Sequence, residues 1–170
     1  MNSLLTTTRL IISKPSLNDL DNLFTLQSNS EVMRFIGNGK RDRNEVMLGL
    51  EKAIYHVQKH QFSLGSVFVK DSQEFIGRAG LIYFNYDDNQ PEVELAYALL
   101  PQYWGKGYAT EITTSLIDFA FRNLNMQKLI AVVHPENASS QNVLIKCGMS
   151  NAGKINYWNK EVMKFEINKS

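Results

Sequence analysis

The stretch VELAYALLPQYWGKGYATE, Val93 to Glu111, is where the reading of this chain is decided. Its first part, with Glu92, is an apolar run of strand type, EVELAYALL (Glu92 to Leu100), and Pro101 stops it because proline has no N–H for a ladder. QYWGKG (Gln102 to Gly107) then turns into a run in which Ile112, Leu116, Phe119 and Ala120 recur at helical spacing. Such a turn leaves unpaired backbone N–H groups at the helix start, and together with the helix macrodipole they favour a phosphate. Gly105 and Gly107 lack Cβ atoms, so a ligand can come close to the backbone. The physical reading is a pyrophosphate cradle. It is neither common nucleotide loop. A Walker A motif would need Ser or Thr after Lys106, where Gly107 stands. A dinucleotide fingerprint counted from Gly105 would need Gly or Ala at 110, where Thr110 stands.

Working outward, RLIISK (Arg9 to Lys14) suits a strand ended by Pro15, and Ser16 with Asp19 forms a capping-box variant before Leu17, Leu20 and Phe24. Asn29 to Asn44 reads as a short helix plus loop, with Asn44 as cap of a helix whose one face carries Val46, Leu50, Ala53, Ile54 and Val57. Phe62 to Lys70 and Glu74 to Phe84 read as a hairpin around Asp71 to Gln73. After the central stretch, Lys128 to Val133 is a continuous apolar strand of the kind covered on both faces. Asn137 caps a helix to about Cys147, Gly148 stops it, and Asn156 to Trp158 with Val162 to Asn168 form a closing hairpin. The expectation is an α+β (mixed α/β) single domain over 1–170, with a mixed central sheet of about seven strands and helices on both faces.

Composition narrows the partners. The 170 residues are 44% hydrophobic and 21% charged, enough apolar content for a real core. A net charge of +1, from 18 basic and 17 acidic side chains, provides no field for nucleic acid or an anionic membrane. The lone Cys147 excludes an internal disulfide and reads as packing. MNSLLTTTRL lacks the basic start and apolar core of a signal peptide, and the apolar run at Leu129 to Val133 is too short to span a bilayer. A soluble, cytoplasmic protein is expected, as monomer or homodimer. His56 and His60 have no second ligand cluster, so no metal is implied, and His134 precedes Pro135 at a strand end, a minor candidate for a ligand or base role.

Gln102, Gly105 and Gly107 fit the pattern Q/R-x-x-G-x-G/A, which resembles motif A of the GNAT superfamily of N-acetyltransferases. TTRLII at the start, EVMRFIG (Glu31 to Gly37) and YWGKGYATE resemble the RimJ/RimL type, the ribosomal-protein-alanine acetyltransferase branch. NASSQNVLIKCGM (Asn137 to Met149) resembles that branch's helix after the fifth strand, with Asn137, Ser140, Lys146 and Gly148 matching and Ile145 and Met149 departing. The resemblance implies a GNAT acyl-CoA N-acyltransferase fold with acetyl-CoA as cosubstrate. Backbone groups near Leu99 and Leu100 would pair with the pantetheine arm. N–H groups from Gln102 to Gly107, with Tyr108, Ala109 and Thr110 behind, would hold the pyrophosphate. Lys106 could add charge there, and Asn137 would reach the pantetheine or the acetyl end.

The implied chemistry is direct attack of an amine on the thioester, which needs proton removal from the amine and a proton for the departing thiolate. Glu94 is the first candidate base, because family members often carry a Glu there, and Glu92 is the second by period-two alternation. Many relatives place a tyrosine acid seven residues after the asparagine. Leu144 stands there, so Ser140 is the candidate donor. Tyr83, Tyr86, Tyr157 and Trp158 are candidates to line the acceptor site, and Asn29 to Asn44 and the loop from Ser150 to Glu161 to select the acceptor. A protein N-terminal amine leads among acceptors, with polyamines, amino acids and aminoglycosides open and a polycation disfavoured by the lack of an acidic cluster. The missing tyrosine leaves a second class open, a non-catalytic sensor of acyl-CoA.

Overall fold

The computed structural model describes residues 2–170. Its sheet has eight strands in the order β1-β2-β3-β4-β5-β6-β8-β7. The strands are β1 (Ser3–Thr6), β2 (Leu10–Ser13), β3 (Leu64–Val69), β4 (Phe75–Tyr83), β5 (Val93–Leu99), β6 (Lys128–Val133), β7 (Ser150–Tyr157) and β8 (Lys160–Asn168). The helices are α1 (Leu20–Gln27), α2 (Arg43–His60), α3 (Tyr108–Arg122) and α4 (Ala138–Lys146). The chain departs from the expected seven strands by β1, a four-residue edge strand antiparallel to β2 that polar Thr6 to Thr8 hid.

Every neighbouring pair is antiparallel except β5 and β6, which run parallel. The α3 between them supplies the crossover that a parallel pair requires. Along β5 the side chains alternate. Val93, Leu95 and Leu99 join the buried cluster with Ile112, Leu116 and Ala120 of α3. Ala98, on the opposite face, packs with Leu26 of α1 and with Val32 and Met33 of the following 3-10 turn (Val32–Phe35). Ala131 and Val133 of β6 pack on Leu144 of α4, on the α3 side. Each fully buried Leu or Ile in these clusters is worth about 1.5–3 kcal/mol, so the apolar stripe of α3 anchors the helix that begins at the glycine turn.

Three local expectations are corrected. α2 is capped by Asp42, not Asn44: Glu45 N–H donates to Asp42 Oδ1 at 2.9 Å, and Asp42 N–H donates to Glu45 Oε2 at 2.8 Å. The reciprocal pair satisfies two donors where Asn44 could satisfy one. The helix expected within Asn29 to Asn44 is only the 3-10 turn Val32–Phe35. The supposed loop Ser150 to Glu161 is β7 and the start of β8, turned by Trp158 and Asn159, both at positive φ as a tight hairpin requires.

His56 of α2 is a buried latch between elements. Its Nδ1 donates to the Phe62 carbonyl at 2.7 Å, while Nε2 accepts the Tyr83 N–H at 3.1 Å, which fixes the neutral tautomer. Burial lowers its pKa, against the opposing pull of the Phe62 carbonyl. A folded pKa below the unfolded one means that the latch contributes fully above about pH 6.5 and is lost as pH falls through that range. His56→Phe should therefore cost about 2 kcal/mol or more at pH 8, by orphaning two buried backbone groups, and flatten the acid-side fall in the urea midpoint. Unchanged midpoints at pH 8 would refute the latch.

Candidate active site

The parallel pair β5/β6 is bridged at a single register position, Glu94 with Ile130. Leu100 N–H donates to Ile76 O, and Phe84 N–H to Glu92 O, so even-numbered positions of β5 present their backbone to β4. Odd-numbered Tyr97 and Leu99 therefore present theirs away from β4, toward the gap beside β6. A cleft of about 630 Å³ lies there. Its walls are Tyr97, Ala98 and Leu99 on one side and Ser139, Ser140 and Asn142 on the other.

The glycine turn closes one end of this cleft. Tyr103 and Trp104 N–H fold back on Leu100 and Pro101 carbonyls, and Glu111 N–H is the first to take a helical partner, Gly107 O. The N–H groups from Gly107 to Thr110 therefore have no intrahelical acceptor. Gly105 at φ +72° and Gly107 at φ +79° both lie in the left-handed region, which shapes successive amides into an anion-binding concavity. Gly105, Gly107, Tyr108, Ala109 and Thr110 all line the cleft. The turn is braced from behind by β2's approach. Glu111 accepts the Arg9 backbone N–H at 2.7 Å, Arg9 Nε at 2.7 Å and Thr7 Oγ1 at 2.6 Å, and Arg9 Nη1 donates to Lys106 O at 3.0 Å. These bonds hold Glu111 below the usual carboxylate range against the opposing effect of its burial.

A second cleft, of about 270 Å³, opens on the α1/α2 side of β5 around Glu94. Glu94 is 5% exposed. Burial pushes its pKa up to about 7, with the charge of Arg78 pulling the other way. Arg78 sits opposite Ala98 in the β4/β5 register, so it shares Glu94's face. Tyr86, Tyr157 and Trp158 form aromatic walls. Burial, with Glu94's charge reinforcing it, raises Tyr157 to about 12, so its hydroxyl stays protonated.

The two clefts share Phe35, Ile36, Tyr97, Asn137 and Ser140 in their linings. At that junction Ser140 Oγ accepts from the Tyr97 hydroxyl and from Asn137 Nδ2, each at 3.2 Å. Asn137 also caps α4, its Oδ1 accepting the Ser140 N–H at 3.2 Å. With two donors aimed at Ser140 Oγ, its own hydroxyl hydrogen is free to face the junction.

Residues 9–150 match the Acetyltransferase (GNAT) domain. The chain belongs to the GNAT acetyltransferase family. It is 32% identical over 164 residues to the uncharacterized N-acetyltransferase p20 of Bacillus licheniformis, covering 91% of this chain and 86% of p20. It is 27% identical over 133 residues to the spermidine N(1)-acetyltransferase of Vibrio cholerae, covering 72% and 76% of the two chains. In fold it resembles RimL, the ribosomal L7/L12 α-N-protein acetyltransferase solved with coenzyme A, with TM-score 0.81 at 14% identity, covering 98% of each chain. This GNAT protein is thus an acetyl-CoA-dependent N-acetyltransferase. Among the described residues no group of three or more His, Cys, Asp or Glu is placed to hold a metal, and no helix is long and apolar enough to cross a membrane.

Of the site residues expected for this acetyltransferase, Leu99, Gly105, Gly107, Tyr108, Ala109 and Thr110 line the larger cleft, Glu94 the smaller, and Asn137 and Ser140 both. Leu100 is not available: its N–H donates to Ile76 and its carbonyl accepts from Tyr103. Leu99 O accepts Trp104 Nε1 at 2.8 Å, so of its backbone pair the N–H is what remains for a ligand. Gln102 and Lys106 lie outside both linings, Lys106 Nζ resting 5.4 Å from the Tyr103 ring centre. Glu92 is drawn away from the cleft by Lys164, at 2.6 Å, and Lys128. His134 stacks on Phe35, and its Nδ1 accepts the Glu136 N–H. Tyr83 packs on His60 rather than lining the cleft. Cys147 is partly buried between α3 and α4, with its thiol near Thr114 Oγ1 and Thr110 O. Residues the sequence reading missed are Tyr97 and Arg78, whereas Arg41 belongs to the Asn29 to Asn44 segment expected to select the acceptor. Tyr97 lay inside the quoted strand, three residues after Glu94, and period two put its side chain on the other face.

Proposed function

We propose that this acetyltransferase binds acetyl-CoA along the larger cleft and acetylates a primary amine held in the Glu94 cleft, by direct attack within a ternary complex. The observation that carries the reading is the junction: a phosphate-type cradle and a buried carboxylate reach the same point, walled by Tyr97, Asn137 and Ser140. The cradle amides from Gly105 to Thr110 take the diphosphate. The free N–H groups of Tyr97 and Leu99 take amide carbonyls of the pantetheine arm in the manner of an added strand. The thioester then lies at the junction.

Glu94 receives the proton of the acceptor ammonium, directly or through water, and a pKa of about 7 suits a base that must be ionised yet proton-accepting near neutrality. The neutral nitrogen forms a bond to the thioester carbonyl carbon and sheds its second proton to solvent, the C–S bond breaks, and sulfur leaves with the bonding pair. The Ser140 hydroxyl hydrogen faces that sulfur and passes it a proton from solvent. Tyr97, kept protonated because burial raises its pKa, holds Ser140 in place as a donor from behind. This pair occupies the role left open by Leu144, which is 3% exposed and packs in the core. The acceptor class includes protein N-terminal amines and small amines, as the similar enzymes that act on ribosomal L7/L12 or spermidine suggest.

Release of free CoA thiol from acetyl-CoA, followed over a panel of amines and N-terminal peptides, tests the proposal. Activity with at least one amine is expected, and Ser140→Ala should lower kcat about tenfold with little change in the KM for acetyl-CoA. Unchanged kcat in that variant removes Ser140 from the mechanism.

A further inference from the structure

The acceptor cleft has an electrostatic imbalance that proton transfer does not use. Three cationic side chains, Arg41, Lys52 and Arg78, and one carboxylate, Glu94, line it. Among the described residues Arg78 has no ion-pair partner, and neither does Glu94. Arg41 is held by one neutral contact, Nη1 to Gln27 Oε1 at 3.1 Å. The two guanidinium groups are close enough that the charge of Arg41 adds to burial in lowering the pKa of Arg78. Like charges brought together in a partly desolvated pocket, with Glu94 as the one protein carboxylate lining it and burial favouring that group's neutral form, are costly unless a ligand supplies a further anion.

The register sets where that anion would sit. Arg78 faces Ala98, and Glu94 lies on the same face of β5, with Ala96 between them. An acceptor whose amine is within reach of Glu94 can therefore extend along this face toward Arg78. Arginine's planar fork matches a carboxylate with two parallel hydrogen bonds. The cleft, of about 270 Å³, lies at the small end of ligand pockets, which start at about 300 Å³ for drug-sized molecules, and so suits an acceptor as small as a single amino acid. Tyr86, Tyr157 and Trp158 give it apolar walls.

Resting on the acetyltransferase reading above, we propose that the preferred acceptor is a small amine that also carries a carboxylate, an amino acid, with Arg78 and Arg41 as the carboxylate subsite. A polyamine lacks the anion and would bring further positive charge against three cations.

The test separates this inference from the reading beneath it. CoA is titrated into the protein by calorimetry first; absence of binding would count against the transferase reading itself. The CoA complex is then titrated with a panel of α-, β- and γ-amino acids, with the C-terminal amide of each, and with spermidine. At least one acid should bind tenfold or more tighter than its amide, as expected for a charge-assisted bidentate contact. Arg78→Met should erase that preference, leave CoA affinity unchanged and leave binding of the amide within about threefold, while Arg78→Lys should restore part of it. If Arg78→Met does not fold, Arg41→Met is expected to reduce the preference about fivefold. Equal binding of acids and amides by a CoA-competent protein, or tighter binding of spermidine than of any acid, would overturn the subsite and leave the transferase reading standing.

Discussion

Glu94→Gln should bind CoA normally and lose amine acetylation by roughly 10² to 10⁴-fold, the range associated with removing a positioned general base. Glutamine keeps the volume and polarity of the side chain but cannot accept the ammonium proton. In the parent enzyme kcat/KM should rise with pH and level off above about 7, following ionisation of Glu94. The variant's residual rate should instead track deprotonation of the amine itself. Stability should move the opposite way from activity. Between the ordinary glutamate value of 4.5 and about 7 the folded protein holds a proton that the unfolded chain has released. Folding stability therefore declines as pH rises across that window. Above it, ionised Glu94 costs on the order of 3 kcal/mol. Glutamine has no charge to desolvate, so the variant's melting temperature at pH 8 should equal or exceed that of the parent. Full turnover across the pH range would exclude Glu94 as the base. Lost turnover together with lost stability would make it a structural residue.

Gly107→Val should weaken CoA binding by thirtyfold or more. Gly107 is the N-cap of α3 at φ +79°, ψ 6°. A β-branched residue there costs about 2 kcal/mol in the left-handed region, while its Cβ would be in ordinary contact, at 3.5 Å, with Arg9 Nη2. The strain is relieved most readily by rotating the turn, which redirects the amides that start the helix. The turn is exposed and contributes little to the core, so melting of the ligand-free protein should fall by no more than about 4–8 °C while the calorimetric Kd changes a great deal. Gly105→Ala, with φ +72° and open space around its Cβ, should give a smaller loss of about tenfold. Retained affinity in both variants would show that the diphosphate binds elsewhere.

How much of this was legible beforehand depended on the range of each signal. The stripe Ile112, Leu116, Ala120 and the run Lys128 to Val133 are local patterns, and α3 and β6 appear where those patterns fall. The glycine turn is legible because its chemistry is contained in six consecutive residues. β1 is not, because four residues of mixed polarity have no periodicity to read. Asn44 reads as the cap because it adjoins the apolar stripe, although Glu45 three residues after Asp42 spells the reciprocal cap. The cleft around Glu94 is the least legible part. Arg78 meets Glu94's face only through the β4/β5 register, and Tyr97 meets Ser140 across 43 positions of chain. No window of local sequence contains either juxtaposition. Leu144 stands where many relatives carry a tyrosine, and the hydroxyl that reaches Ser140 comes instead from Tyr97 on another strand.

The single bridge between β5 and β6 also bears on how the empty enzyme breathes. Five strands on one side of that seam and three on the other are continuous ladders, yet across it the backbone is stitched at one point. The two leaves should open against each other more readily than either unravels internally, so amides beside the seam exchange with solvent through a low-energy motion. A cosubstrate that bonds to the bare edge acts as mortar, turning two loosely joined leaves into one rigid wall. Protection gained on CoA binding should therefore spread along β6 and β8 well beyond the atoms it touches.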